Sequence, residues 1–266
     1  MKRILNILAE ITKCSLLVII GLMLVVSIST FINSVHIYID NQNHIIEQLN
    51  QNIERLSRNL FKENIDKIIS ANVGIINFTD FSGGSGIFID TNIILTAKHL
   101  IDKETDILII QKDSLFTPAK IIKVYKDRDL MILKLYTDTP FPYVNISKFE
   151  PKIADEVYAV GNPVGEIDQV TFGLIRKQSK ENEIYHSATI APGNSGGGLF
   201  NKDGELVGIN VAMIVVSENI YSNHWMGNFA LATDIISIRE DILEVIRKEN
   251  NPTLDDIMDK YKIGKD

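Results

Sequence analysis

The chain has 266 residues, 45% of them hydrophobic and 23% charged, with a formal net charge of −7. That balance fits a globular chain with a sizeable core, and the acidity argues against a nucleic-acid surface. A single cysteine excludes a disulfide framework, and five histidines beside it match no zinc spacing, so neither a metal nor another cofactor is expected.

Residues 1–13 carry Lys2, Arg3 and Lys13, and residues 14–32 carry no charge at all. The uncharged run is close to the ~20 residues that cross a bilayer as a helix. The next basic residue is Arg55, so the positive-inside rule places the N-terminus in the cytoplasm and all that follows outside it. The expectation is a single-pass cell-membrane protein with an anchor at 14–32. A signal peptide cut near Ser27-Ile28-Ser29 is the alternative.

From 33 to 70 the pattern becomes a heptad seam: Ile32, Val35, Ile39, Gln42, Ile46, Leu49, Ile53, Leu56 and Leu60 alternate in steps of three and four. Isoleucine mostly at the first seam position and leucine at the second favour a parallel dimeric coiled coil, with Gln42 fixing register. A lone amphipathic helix is the competing reading.

Residues 71–249 turn to short β-rich runs. Strands are expected at Asn72–Phe78, Gly86–Ile89, from Ile93 towards His99, Ile107–Gln111, Ala119–Tyr125 and Leu130–Tyr136. A second set falls at Glu156–Val160, Val170–Arg176, Ile184–Thr189, Gly197–Phe200, Leu206–Ala212 and Asn228–Ala232. A helix at Ile235–Lys248 and a tail at 250–266 close the chain.

Within that pattern, Ala191-Pro192-Gly193-Asn194-Ser195-Gly196-Gly197-Gly198 sets a serine among four glycines, where a backbone can turn tightly and a substrate carbonyl can come close. A serine nucleophile needs a histidine base and a carboxylate to orient that base. His99 ends an apolar strand, and Asp129 heads another. Asp127, set between Lys126 and Arg128, is read as solvated. The order is then histidine, aspartate, serine. His186 is read as structural, and His36, His44 and His224 as solvent-facing.

These segments, with Gly83-Gly84-Ser85-Gly86-Ile87-Phe88, Ala159-Val160-Gly161-Asn162-Pro163-Val164-Gly165, Gly208-Ile209-Asn210 and Phe229-Ala230-Leu231, resemble the chymotrypsin-fold serine endopeptidases of the HtrA/Deg family. The resemblance spans about Asn72 to Lys248. It implies an all-β fold of two antiparallel six-stranded barrels with a C-terminal helix, and a site in the cleft between them. It implies Ser195 as nucleophile, His99 as base and then acid, Asp129 as the group that orients the imidazole, and the N–H groups of Gly193 and Ser195 as an oxyanion hole. Thr189, Ile190, Val211, Ala212, Met213 and Ile214 would line the substrate pocket and take an aliphatic side chain. Substrates would be proteins or peptides.

The family points to a trimer where the seam favours a dimer, and both readings stand. Lys98, Met131 and Gly198 depart from the family pattern. With Asp266 as the last residue, no peptide-binding PDZ domain is expected. The loop Lys177–Asn182 is short for a sensor loop, and Val215–Gly227, with Tyr221 and Trp225, is the surface expected to select partners. A protease-fold scaffold or sensor that binds peptides without cutting them is the alternative function.

Overall fold

The computed structural model describes residues 1–101, 108–113, 115–178, 182–217, 225–253 and 256. The chain divides into two compact units, Met1–Leu60 and Phe61–Asp266.

The first unit lies on one helix, α1 (Lys2–Ala71). It is long and apolar enough to cross a membrane, with a mean hydropathy of 2.6 over its most apolar eighteen residues. The apolar seam side chains are exposed, from 39% at Val35 to 62% at Ile53.

The second unit opens with the last turns of the same helix. Ile68 and Ala71 are fully buried, and the Phe61 ring lies 5.5 Å from that of Tyr158. Residues read from sequence as the end of a stalk therefore pack into a globular core.

Two closed barrels follow. The first contains β1 (Asn72–Asn77), β2 (Ser82–Asp90), β3 (Ile93–Thr96), β4 (Leu108–Lys112), β5 (Leu115–Val124) and β6 (Met131–Leu135), in the order β1-β2-β3-β6-β5-β4. The second contains β7 (Glu156–Gly161), β8 (Gln169–Gln178), β9 (Glu183–His186), β10 (Gly198–Asn201), β11 (Leu206–Ser217) and β12 (Trp225–Asp234), in the order β10-β11-β12-β9-β8-β7. Every pairing between these strands is antiparallel, as expected, and each sheet closes on itself.

The first barrel is filled by branched aliphatics. Ile93, Ile94, Leu95, Ile132 and Leu133 are all fully buried. Both faces of β3 are covered, which is why its sequence runs apolar without alternation. The C-terminal helix α2 (Arg239–Asn250) joins that core through Ile242. It is pinned at its two ends by Tyr125 Oη donating to Asp241 (2.7 Å) and by Lys134 Nζ donating to Glu249 (3.1 Å).

Element ends differ from expectation for local reasons. The helix expected from Ile235 begins at Arg239, because Asp234 accepts the N–H groups of Ile236 and Ser237 and holds a 3-10 turn there. The strand expected to reach Thr189 stops at His186. Ser187 Oγ accepts the Leu174 N–H at 2.9 Å and so takes a place in the ladder that backbone would otherwise fill. Strands β11 and β12 extend into Val215–Gly227, whose middle, 218–224, lies outside the described residues. Ile107, residues 179–181 of the short loop, and most of the tail lie outside them as well.

Candidate active site

His99 sits in a 3-10 turn, Lys98–Leu100, directly after β3. Its Nδ1 lies 2.6 Å from Asp129 Oδ2, and its backbone N–H donates to Asp129 Oδ1 at 2.9 Å. One carboxylate thus fixes both ring and backbone of the same histidine. Burial pushes the Asp129 carboxyl up, but the side-chain and backbone hydrogen bonds from His99 outweigh it and hold the group below the ordinary carboxylate range.

Asp127 pairs with Arg128 at 2.8 Å instead. Lys98 gains a role its sequence position did not suggest, since its Nζ donates to the carbonyls of Tyr125 (3.3 Å) and Arg128 (3.2 Å) and ties down the turn that presents Asp129. From the second barrel, Thr233 Oγ1 reaches the Asp129 carbonyl at 3.4 Å.

Ser195 follows a tight turn in which the Asn194 N–H donates to the Ala191 carbonyl at 3.0 Å and Gly193 takes a φ of +101°. Proline before a positive-φ glycine is the chemistry of a type II turn. Gly196 has a φ of +86°, and a Cβ there would lie 2.1 Å from both the Ser85 carbonyl and Thr96 Oγ1. Only glycine passes the chain through that gap. Gly84 lies between the two halves of the site: a Cβ on it would meet the Leu100 side chain at 2.6 Å and the Ser195 carbonyl at 2.7 Å. The residue after His99 and the backbone of Ser195 therefore flank one glycine.

The Ser195 hydroxyl donates to the Val211 carbonyl at 3.5 Å, and no hydrogen bond joins it to His99 in this structure. Among the described residues the N–H groups of Gly193 and Ser195 have no hydrogen-bond acceptor. Beneath the serine, Asn210 exchanges backbone bonds with Gly196 (2.7 Å) and Gly197 (2.8 Å), and its Nδ2 donates to the Gly198 carbonyl at 3.0 Å. His186 is fully buried below it, with Nε2 3.1 Å from Asn210 Oδ1 and no partner for Nδ1. Burial lowers its pKa to about 4, against the opposing pull of the Asn210 bond.

Ile190 is buried, Val211 half-buried, and Thr189, Ala212, Met213 and Ile214 are exposed. The Thr189 carbonyl accepts from Thr171 Oγ1 at 2.7 Å. None of these six lines the cavity of about 420 Å³ found beside the glycine turn, which is bounded by β1, Gly83, Gly84, Gln111, Asn162, Pro192 and Gly193. No cluster of metal-ligating side chains occurs among the described residues.

Residues 84–209 match the trypsin-like peptidase domain. The chain contains a trypsin-like peptidase domain homologous to the DegP and DegS serine endoproteases. It is 36% identical over 166 residues to "Probable periplasmic serine endoprotease DegP-like" of Hahella chejuensis, covering 58% of this chain and 34% of that one. It is 32% identical over 166 residues to serine endoprotease DegS of Salmonella typhimurium, covering 58% and 47%. A crystal structure of the serine endoprotease from Yersinia pestis superimposes with a TM-score of 0.58 at 27% identity, over 71% of this chain and 67% of that one. The chain spans about a third to a half of the length of these curated relatives.

The peptidase-domain match contains Ser85, His99, Asp129, Asn162, Gly193 and Ser195, and ends at Ile209, just before Asn210. Ser85, Asn162 and Asn210 are buried polar residues, Ser85 and Asn210 hydrogen-bonded to the backbone of this candidate site and Asn162 to Ser85, and reading the sequence did not single them out for that place. Their signal was faint: small polar residues inside otherwise apolar or glycine-rich strands.

Proposed function

We propose that the protein is a membrane-anchored, extracytoplasmic serine endopeptidase, cutting peptide bonds through Ser195, His99 and Asp129. The observation that carries this reading is the doubly held histidine, with Asp129 at 2.6 Å from Nδ1 and 2.9 Å from the backbone N–H, set across Gly84 from the Ser195 backbone. A carboxylate on Nδ1 fixes the tautomer that leaves Nε2 free to take a proton. On substrate binding the Ser195 hydroxyl turns from Val211 to His99, loses its proton to Nε2, and its oxygen attacks the peptide carbonyl. The free N–H groups of Gly193 and Ser195 stabilise the oxyanion, and His99 then protonates the leaving amine. Water repeats the cycle on the acyl-enzyme.

Helix α1 would anchor the protein through residues 14–32, with the N-terminus cytoplasmic, and its exposed heptad seam would assemble a dimer or trimer. Thr189, Ile190 and Val211–Ile214 would take a small or medium aliphatic side chain before the cleaved bond.

A second reading, a silent peptide-binding scaffold, is favoured by one observation: the serine hydroxyl engages Val211 rather than His99. Labelling with a fluorophosphonate separates the two. The enzyme reading expects wild type to label and Ser195→Ala not to; an unlabelled wild type that still binds peptides would establish the scaffold.

A further inference from the structure

The two candidate oxyanion-hole residues are held by one residue of the opposite barrel, one through its side chain and one through its backbone. Ser85, fully buried on β2, donates its hydroxyl to the Gly193 carbonyl at 2.7 Å and its backbone N–H to the Ser195 carbonyl at 2.7 Å. The hydroxyl oxygen accepts in turn from the Asn162 N–H at 2.8 Å, and Asn162 is tied to the Val73 carbonyl by its own Nδ2 at 2.8 Å. Asn162 Nδ2 also donates to that oxygen at 3.3 Å, so the single donor and both acceptor positions of the Ser85 hydroxyl are used, which fixes the direction of its proton towards Gly193.

We propose that Ser85 is a positioning residue that sets the oxyanion hole from the first barrel. The proposal rests on the endopeptidase reading. Gly193 is the only residue of the hole with no side chain to hold it, and glycine's torsions are the freest in the chain. Only the two torsions of Gly193 itself separate its anchored carbonyl from its N–H, so gripping the carbonyl aims the donor. An oxyanion donor stabilises the transition state in proportion to how well it is already aimed, because the charge exists only briefly. Ser85 should therefore act on turnover and leave ground-state peptide binding almost untouched.

The test uses the full chain in detergent micelles and a peptide p-nitroanilide with valine before the scissile bond. In Ser85→Ala, kcat should fall about 10-fold or more with KM changed less than about threefold, and affinity for a peptide boronate should fall by a similar factor. Thr96→Val removes an equally buried hydroxyl that bonds the Ser85 carbonyl at 2.7 Å, and it should lower thermal stability while leaving kcat within about threefold of wild type. Ser85→Cys keeps a weak donor at nearly the same size and should fall between Ser85→Ala and wild type, which covers the case in which the alanine variant does not fold. An unchanged kcat in folded Ser85→Ala, or a loss that Thr96→Val reproduces, overturns the proposal, as does failure of both Ser85 variants to fold. A wild type that neither turns over the anilide nor reacts with fluorophosphonate sinks the endopeptidase reading itself.

Discussion

The two barrels share a strand count and a closed topology, yet they are built against opposite failures. The first is filled by fully buried Ile, Leu, Met and Phe side chains, and it holds His99 and Asp129 at the ends of such strands. The second buries fewer large side chains and instead runs backbone against backbone: a Cβ at Gly173 would lie 2.0 Å from the Ala188 nitrogen, and one at Gly197 would lie 2.2 Å from the Val160 carbonyl. It also buries His186, Asn194 and Asn210. One barrel is sensitive to lost volume and the other to added atoms. The proposed base and its carboxylate come from the well-filled barrel, while the proposed nucleophile and N–H donors come from the one whose backbone geometry is most constrained.

Substitutions can break or sharpen that contrast. The largest effect is expected from Asp129→Asn, which puts an amide where both Oδ atoms now accept from His99. Peptidase kcat should drop about 10³–10⁴-fold while thermal unfolding stays near wild type. A large stability loss in its place would make Asp129 a structural residue of the first barrel.

Next, Leu133→Ala should cost about 2–5 kcal/mol in denaturant titration, because the side chain is fully buried among branched aliphatics that cannot collapse into the space. Gly173→Ala should cost about 1–3 kcal/mol by the reverse mechanism, forcing β8 away from Ala188. If the alanine at 173 were neutral, the second barrel would not be limited by backbone approach.

A pH effect should also divide the barrels. The His186 pKa is lowered to about 4 in the fold, so between the ordinary value of 6.5 and about 4 the unfolded chain binds a proton that the folded chain does not. Stability from this group is therefore complete above about 6.5 and declines as pH falls towards about 4, by about 2 kcal/mol between pH 7 and pH 5. In His186→Gln that part of the pH dependence should vanish, and urea titrations at the two pH values would register it. The smallest effect is expected from Lys98→Met. Losing the ammonium from two carbonyls should cost about 1 kcal/mol and slow turnover less than tenfold, as seen by melting and initial rates.

Much of this was legible in the chain itself. The apolar strands of the first barrel, the glycine-flanked serine, and the choice of a carboxylate touching an apolar run over one in a charged turn all follow from local residue chemistry. The end of the stalk was legible too: after Leu60 the next seam positions are Glu63 and Lys67, and the apolar stripe moves to Ile65 and Ile68, which pack into the globular core, and to Phe61, whose exposed ring lies beside Tyr158. What no local pattern could reveal was the grip of Ser85 on Gly193, across 108 positions, or the seating of Asn210 on His186.

Sequence alone determined where strands, turns and the apolar helix fall, because periodicity, glycine and charge act within a few residues of themselves. Tertiary structure alone decided that one carboxylate holds a histidine thirty positions away at two points, that the serine hydroxyl rests on Val211, and that a buried hydroxyl from one barrel holds the backbone of the other. The reason is physical: a hydrogen bond forms within about 3 Å, and only the closed barrels bring those atoms so near.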